Sequence, residues 1–418
     1  MVSVNRNSST PQQPRFVFLF GPLVVGGIET MILRVANHLV QQGRSADVCV
    51  HPGGELERLF DSRVVIRHYL SIHDLIEHAR SIISAGSAPI ILVSFDSESA
   101  ARAVKMARYI GKYSEVRHLT GVFHPTVNFR AGQPRDRIWL NRGIVRTHAS
   151  HSIFFMNVEC RDTHAEWLGM SLRTAPIIPL PVSSPEIRWV PTQSPALRIV
   201  SVGRLVDFKA YNLGAAQIVR SLLDDGIPVT WDIYGYGPLE SEIASLASKE
   251  KVQSELRLRG KLPYNEYHQS ILEHDVFVGM GTAAVEAAMA GLPTIVATVS
   301  EQFNSYGFVH DLPFGNVGER LAGFKPKLIS SLLQHYATVE LAVRQEISER
   351  GRAAVSGYTI DAFVRGLESM AGRIDSCRPS WLAAVWATLF IAWTEGWVHR
   401  IFLGRGVKRR VLALFRGR

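Results

Sequence analysis

Short runs rich in apolar residues, the one at 16–20 unbroken, alternate along this chain with longer stretches in which apolar residues recur every three or four positions. Runs at 16–20, 46–50, 64–68, 89–95, 116–122 and 152–156 have strand length, and helical spacing such as that of 31–40 lies between them. This alternation predicts a parallel α/β sheet. The rhythm restarts at 197–202 and continues through 229–234, 256–258, 276–278 and 294–297, with helices expected from about Leu213, over 239–249 and from Ala283. Between the two series stand Pro176, Pro179, Pro181, Pro185, Pro191 and Pro195, a density that excludes a helix and marks an extended connector. The expected organisation is a disordered 1–14, a first domain over 15–182, a linker at 183–196, a second domain over 197–360, a closing helix within 361–378 and a distinct tail from 379 to 418.

The turns that follow the strands carry the candidate chemistry. The run at 276–278 ends in Gly279-Met280-Gly281-Thr282 and opens an Ala-rich helix that Gly291-Leu292-Pro293 stops. Amides at Gly281 and Thr282 would meet an anion at the positive end of that helix. One turn later Glu286 offers a carboxylate suited to the vicinal diol of a ribose. At the end of 197–202, Gly203 and Arg204 precede Lys209, and a guanidinium with an ammonium at a strand edge can neutralise a diphosphate. Taken alone, these cations read more readily as a solvated pair near a loop; their spacing together with the downstream signature favours the anion site.

In the first series, Gly21-Pro22 is followed by Gly26-Gly27-Ile28-Glu29, and adjacent glycines let a backbone lie close to a ligand. An ordinary strand-to-helix turn would read the same way. His124 directly follows a strand, at the sheet edge where open α/β folds bind ligands, although a loop histidine before Pro125 is the plainer explanation. His148 and His151 are less well placed. Asp96 and Glu98 follow the strand at 89–95 and are read as a helix N-cap and a first-turn acid rather than a metal site.

The ordered set Val202-Gly203-Arg204-Leu205, Lys209, Gly235-Tyr236-Gly237-Pro238, Glu286-Ala287 and Gly291-Leu292-Pro293-Thr294-Ile295 resembles the nucleotide-sugar-binding half of the GT-B glycosyltransferases of family 4, over roughly residues 197 to 300. The resemblance implies two Rossmann-like doubly wound domains facing across a cleft, and a retaining hexosyl transfer from a nucleoside diphosphate sugar without cofactor or metal. It makes Arg204, Lys209 and His124 the catalytic candidates. Donor-binding candidates are Gly26, Gly27, Gly203, Gly235, Gly281, Thr282 and Glu286, with Lys261 and Leu262 beside the nucleobase. Two positions depart from the family pattern: Val278 stands where a first glutamate is usual, and Ala210 replaces the glycine after the lysine. The first departure leaves open a catalytically weak nucleotide-sugar-binding subunit that supports a partner enzyme. An epimerase would need cleft carboxylates and a phosphorylase a cofactor lysine, neither of which is recognisable here.

Composition adds location and partners. With 418 residues the chain exceeds a single core, and 46% apolar with 20% charged residues fits a folded globular protein. Seven of the cations behind the net charge of +9 fall after residue 395, so the body is nearly neutral and no nucleic-acid surface is expected. Cys49, Cys160 and Cys377 lie far apart, without metal-type spacing, and read as reduced cytoplasmic thiols. The N-terminal stretch lacks the apolar core of a signal peptide. Residues 381–393 are apolar apart from Thr388, too few to span a bilayer, and with the cations after them fit a helix lying on an anionic membrane surface. A terminal helix packed on the first domain is the competing reading. The expected partners are therefore a nucleotide sugar, a lipid-linked or glycan acceptor as in bacterial cell-surface polysaccharide assembly, and the inner face of the cell membrane.

Overall fold

The computed structural model describes residues 13–148, 152–183, 185, 187–374 and 379–395. The chain divides into two compact units, one made of the residues up to Ile178 together with those from Val364, the other of Pro179–Phe363.

The first unit holds β1 (Arg15–Leu19), α1 (Gly27–Gln41), β2 (Ala46–Val50), β3 (Val65–His68), α2 (Ile72–Ser84), β4 (Ile90–Ser94), α3 (Ser97–Ile110), β5 (Val116–Val122), α4 (Arg135–His148), β6 (Ile153–Phe155) and α5 (Val158–Leu168). Its six strands run in the order β3-β2-β1-β4-β5-β6, and every pairing is parallel. This is the doubly wound arrangement, with the order reversing between β1 and β4. The residues of β2 and β4 are buried throughout, which explains their unbroken apolar reading. The exception is Asp47, whose buried carboxylate is paired with Arg15 and with Arg67 at 2.7 Å. Helix starts follow from side-chain caps. Ser71 and Asp74 form a capping box for α2, Asp96 and Ser99 form another for α3, and Asn157 caps α5.

The second unit holds β7 (Leu197–Val202), α6 (Tyr211–Asp224), β8 (Val229–Tyr234), α7 (Glu240–Lys249), β9 (Leu256–Gly260), α8 (Tyr267–Ile271), β10 (Val276–Gly279), α9 (Thr282–Met289), β11 (Thr294–Ala297), β12 (Asn304–Phe308), β13 (Lys327–Leu328), α10 (Ile329–Thr338) and α11 (Leu341–Ala354). The sheet order is β13-β12-β11-β10-β7-β8-β9. Strands β7 to β11 are parallel, whereas β12 and β13 add antiparallel pairings. One face packs Trp231, Tyr211 and Tyr336 into the main core, and Trp231 Nε1 donates to Ser201 Oγ, which donates to the Val278 carbonyl at 2.6 Å. The other face is closed by Phe277, Ile271 and Trp189. Trp189 comes from the proline-rich stretch, and its indole N–H donates to the His274 carbonyl at 2.7 Å.

After α12 (Ile360–Gly372) the chain forms α13 (Trp381–Thr394). Ala383, Ala387, Phe390 and Ile391 of α13 are buried against Ala100, Ala101 and Val104 of α3 and Leu140 and Ile144 of α4. The Arg137 guanidinium lies 4.6 Å from the Phe390 ring centroid and 5.3 Å from that of Trp393, while Trp393 Nε1 donates to Asp136. A side chain on Gly143 would overlap the Trp386 ring. The apolar stretch read as membrane-facing therefore gives one face to the core of the first unit, as the competing reading has it. At its start Trp381 remains 73% exposed. The basic stretch 396–418 and Cys377 lie outside the described residues. Among the described residues, no helix is long and apolar enough to cross a membrane.

Candidate functional site

In the second unit the strand order reverses between β7 and β10, which are hydrogen-bonded neighbours. Open α/β sheets bind ligands at the carboxyl ends of such a pair. Gly203 and Arg204 leave the end of β7, and Met280, Gly281 and Thr282 leave the end of β10. The topology thus brings both halves of the sequence-predicted anion site to adjacent strand ends.

Lys209 ends a short 3-10 turn, Asp207–Lys209, and its ammonium lies where a side chain on Gly203 would stand. Arg204 is exposed, and Lys209 is half-buried. Among the described residues neither cation has an acidic partner within 4.0 Å. Burial lowers the Lys209 ammonium from its usual value to about 8, and the neighbouring Arg204 charge adds to the effect. Two like charges left together without an acid form a site that an anion stabilises.

Gly281 caps α9 with φ +74, a conformation that glycine adopts without strain. Its N–H is engaged by the Val317 carbonyl at 2.7 Å, so the expected Gly281 amide is not available to a ligand. The amides of Thr282 and Ala283 have no partner among the described residues and occupy the first turn of the helix. Glu286 lies on the same helix and is 6% exposed. Val278 is fully buried in the main core, so the position of the missing first glutamate contributes packing.

Gly235, at the end of β8, has φ +159, and a side chain there would strike the Gly203 carbonyl. Its glycine identity is therefore already required by the contact between the turns after β7 and β8. Beyond it the exposed Tyr236 ring lies 5.6 Å from Lys261 Nζ, while Leu262 is half-buried against the second core cluster. Tyr236 adds an accessible aromatic face to the predicted base-binding residues.

In the first unit, Gly26 precedes α1, and the space its side chain would fill is taken by the Glu29 carboxylate. A cavity of about 390 Å³ opens beside it, lined by Phe20, Glu29, His51, Tyr69 and Asp96 among others. Phe20, His51 and Asp96 follow the ends of β1, β2 and β4, the sheet reversing between β1 and β4, while Tyr69 follows β3 and Glu29 lies on α1. His51 is not among the residues the sequence singles out, although it follows β2 immediately, whereas Phe123 separates His124 from the end of β5. The Nε2 of His51 has no partner among the described residues, and burial, then the Arg102 charge, lowers its pKa. His124 Nδ1 accepts from the Thr126 amide at 3.1 Å, and burial, with the Arg130 charge, lowers its pKa to about 4. The imidazole is thus neutral at pH 7 and, with Nδ1 accepting, carries its proton on Nε2. His148 is buried against His118 and belongs to the core; His151 lies outside the described residues. Asp96 caps α3 through the Ser99 amide, and Glu98 pairs with Arg102 and Arg137, as expected of a cap and a first-turn acid. Among the described residues, no three His, Cys, Asp or Glu side chains are grouped so as to hold a metal ion.

Two doubly wound units define a class of α/β fold, and the solved structures narrow it. The fold is GT-B: a glycosyltransferase from Rickettsia africae ESF-5 superposes with a TM-score of 0.61 at 13% identity, covering 87% of this chain and 99% of that one. In sequence, the chain is 28% identical over 105 residues to the putative colanic acid biosynthesis glycosyltransferase WcaL of Escherichia coli K12, covering 25% of this chain and 26% of WcaL. It is 30% identical over 97 residues to the amylovoran biosynthesis glycosyltransferase AmsK of Erwinia amylovora, covering 23% of this chain and 24% of AmsK. The alignments thus span about a quarter of the length of either curated relative. No protein-family model matches the sequence.

Proposed function

We propose that the protein is a retaining, metal-independent glycosyltransferase of family 4 that moves a sugar from a nucleoside diphosphate sugar to a hydroxyl of a lipid-linked or polysaccharide acceptor. The observation that carries this reading is the pair of cations, Arg204 and Lys209, standing without acidic partners beside the glycine turn of β10. The partial similarity to WcaL and AmsK, named for colanic acid and amylovoran biosynthesis, supports a place in bacterial polysaccharide assembly; work at the inner face of the cell membrane is part of the same proposal and rests on the apolar and basic composition after residue 380.

In this reaction the bond from the anomeric carbon to the diphosphate oxygen breaks as the acceptor oxygen bonds to that carbon, and the leaving diphosphate takes the acceptor proton. Arg204, Lys209 and the amides of Thr282 and Ala283 stabilise the charge that develops on the diphosphate. Glu286 accepts hydrogen bonds from the pentose, and Tyr236, Lys261 and Leu262 face the base. Gly26, Gly27 and the neutral His124 hold the sugar side, and the cavity beside Glu29 and His51 receives the acceptor. No cofactor enters this scheme. Incubation with a panel of nucleotide sugars and membrane lipid extract is expected to release a nucleoside diphosphate. Absence of donor binding across the panel would overturn the reading.

A second reading, a nucleotide-sugar-binding subunit of a partner enzyme, is favoured by the buried apolar Val278 at the position of the usual first glutamate. Donor binding without turnover on any acceptor would select it.

The state of Lys209 makes a pH prediction. Its ammonium deprotonates near pH 8 in the unliganded protein, and only the charged form attracts a diphosphate. Nucleoside diphosphate affinity is therefore expected to fall by about tenfold per pH unit above pH 8, with proton uptake on binding. Calorimetry in buffers of different ionisation enthalpy reads both effects, and Lys209→Met abolishes the proton uptake.

A further inference from the structure

A groove of about 510 Å³ lies on the first unit between α2, α3 and α13 and shares no lining residue with the sites placed above in the transfer reaction. Ile72 and Ile76 of α2 and Ile391 and Ala392 of α13 give it apolar walls. Lys105 and Arg108, three apart on α3, also line it, and Lys112 joins them from the turn that follows the helix. Lys105 Nζ donates to Thr388 Oγ1, Arg108 donates to the Pro379 carbonyl at 2.9 Å, and Lys112 lies 5.9 Å from the Tyr109 ring centroid. Among the described residues none of the three has an acidic partner within 4.0 Å, although Glu395 lies at the same groove. Burial lowers the pKa of Lys105, with the Arg108 charge adding to the effect.

We propose that this groove binds the headgroup of an anionic phospholipid, its phosphate held among Lys105, Arg108 and Lys112 and its first acyl carbons against Ile72, Ile76 and Ile391. Charge complementarity selects the occupant. Three cations without an acidic partner, over apolar walls, match a phosphate diester joined to an aliphatic chain. The stretch that follows Glu395 contains seven Arg or Lys residues and no acid, so it supplies nothing to neutralise them. Exposed Trp381, at the start of the same helix, is a side-chain type that settles at a lipid–water interface, and Leu382 beside it offers apolar surface. The inference deepens the proposed membrane partner: it rests on that reading for the presence of a membrane and adds a defined site to the basic tail.

The test uses the full chain and dihexanoylphosphatidylglycerol below its micellar concentration, with binding followed by calorimetry. One saturable site is expected, with affinity reduced about tenfold or more in Lys105→Glu/Lys112→Glu and several-fold in Lys112→Ala, a change at an exposed position that leaves the core intact. Retained near-ultraviolet circular dichroism shows that the variants are folded. Inorganic phosphate at equal concentration is expected not to compete; full competition would identify a free-phosphate site and overturn the lipid assignment. Unchanged affinity in folded variants, as if the cations of 396–418 carried the lipid, overturns the groove. Because no nucleotide sugar is present, failure here is distinct from failure of the transfer reaction.

Discussion

Replacing Lys209 with alanine lowers kcat/KM for sugar transfer by about 10²–10³-fold, the loss expected when one preorganised charge is withdrawn from a developing oxyanion. Most of the loss falls on kcat, because the leaving diphosphate is more negative in the transition state than in the bound donor. The same substitution leaves thermal stability unchanged or raises it. In the folded protein the ammonium is penalised by burial and by Arg204, and alanine removes that penalty. Activity lost while stability is kept separates a catalytic charge from a packing residue. Arg204→Lys restores the charge without the planar fork and is expected to recover only part of the rate lost in Arg204→Ala. Steady-state release of nucleoside diphosphate, measured beside a melting curve, checks these outcomes. Unaltered kcat/KM in both Lys209→Ala and Arg204→Ala removes the assignment.

Glu286→Ala weakens binding of a ribonucleoside diphosphate by about 10–100-fold, from the 1.5–3 kcal/mol attached to hydrogen bonds with a charged group. A comparison of ligands makes this specific to the pentose. The wild-type protein is expected to prefer the ribonucleotide over its 2′-deoxy counterpart, whereas Glu286→Ala binds both alike. The difference between the two ratios is the coupling between carboxylate and hydroxyl. Glu286→Gln keeps the volume of this buried side chain and controls for packing. If the deoxy preference survives in the alanine variant, Glu286 does not grip the ribose.

Much of the architecture was readable because strands buried on both faces announce themselves as apolar-rich stretches of strand length; the apolar run at 16–20 coincides with β1, and the stretches at 46–50, 116–122 and 229–234, each broken by polar residues, coincide with β2, β5 and β8. The antiparallel edge was not. Asn304–Phe308 mixes polar residues with a glycine, and β13 is only two residues long, so neither carries a periodic signal. At the candidate site, Arg204, Lys209 and the turn at Gly281 could be located by their places after strands. What occupies the Gly281 amide could not, since its partner, Val317, comes from a loop with no local relation to the turn. The apolar stretch at 381–393 identified a helix but not its buried face, because a helix apolar nearly all round does not mark the side that meets α3 and α4.

The late arrival of α13 also orders the birth of the protein. Its partners on α3 and α4 leave the ribosome long before residues 381–394 are made, and the whole of Pro179–Phe363 is synthesised in between. During that interval Ala100, Val104 and Ile144 lack the cover that α13 later gives them. The nascent first lobe is thus sticky for as long as it takes to translate the second, and it is in that window that a chaperone has most to do.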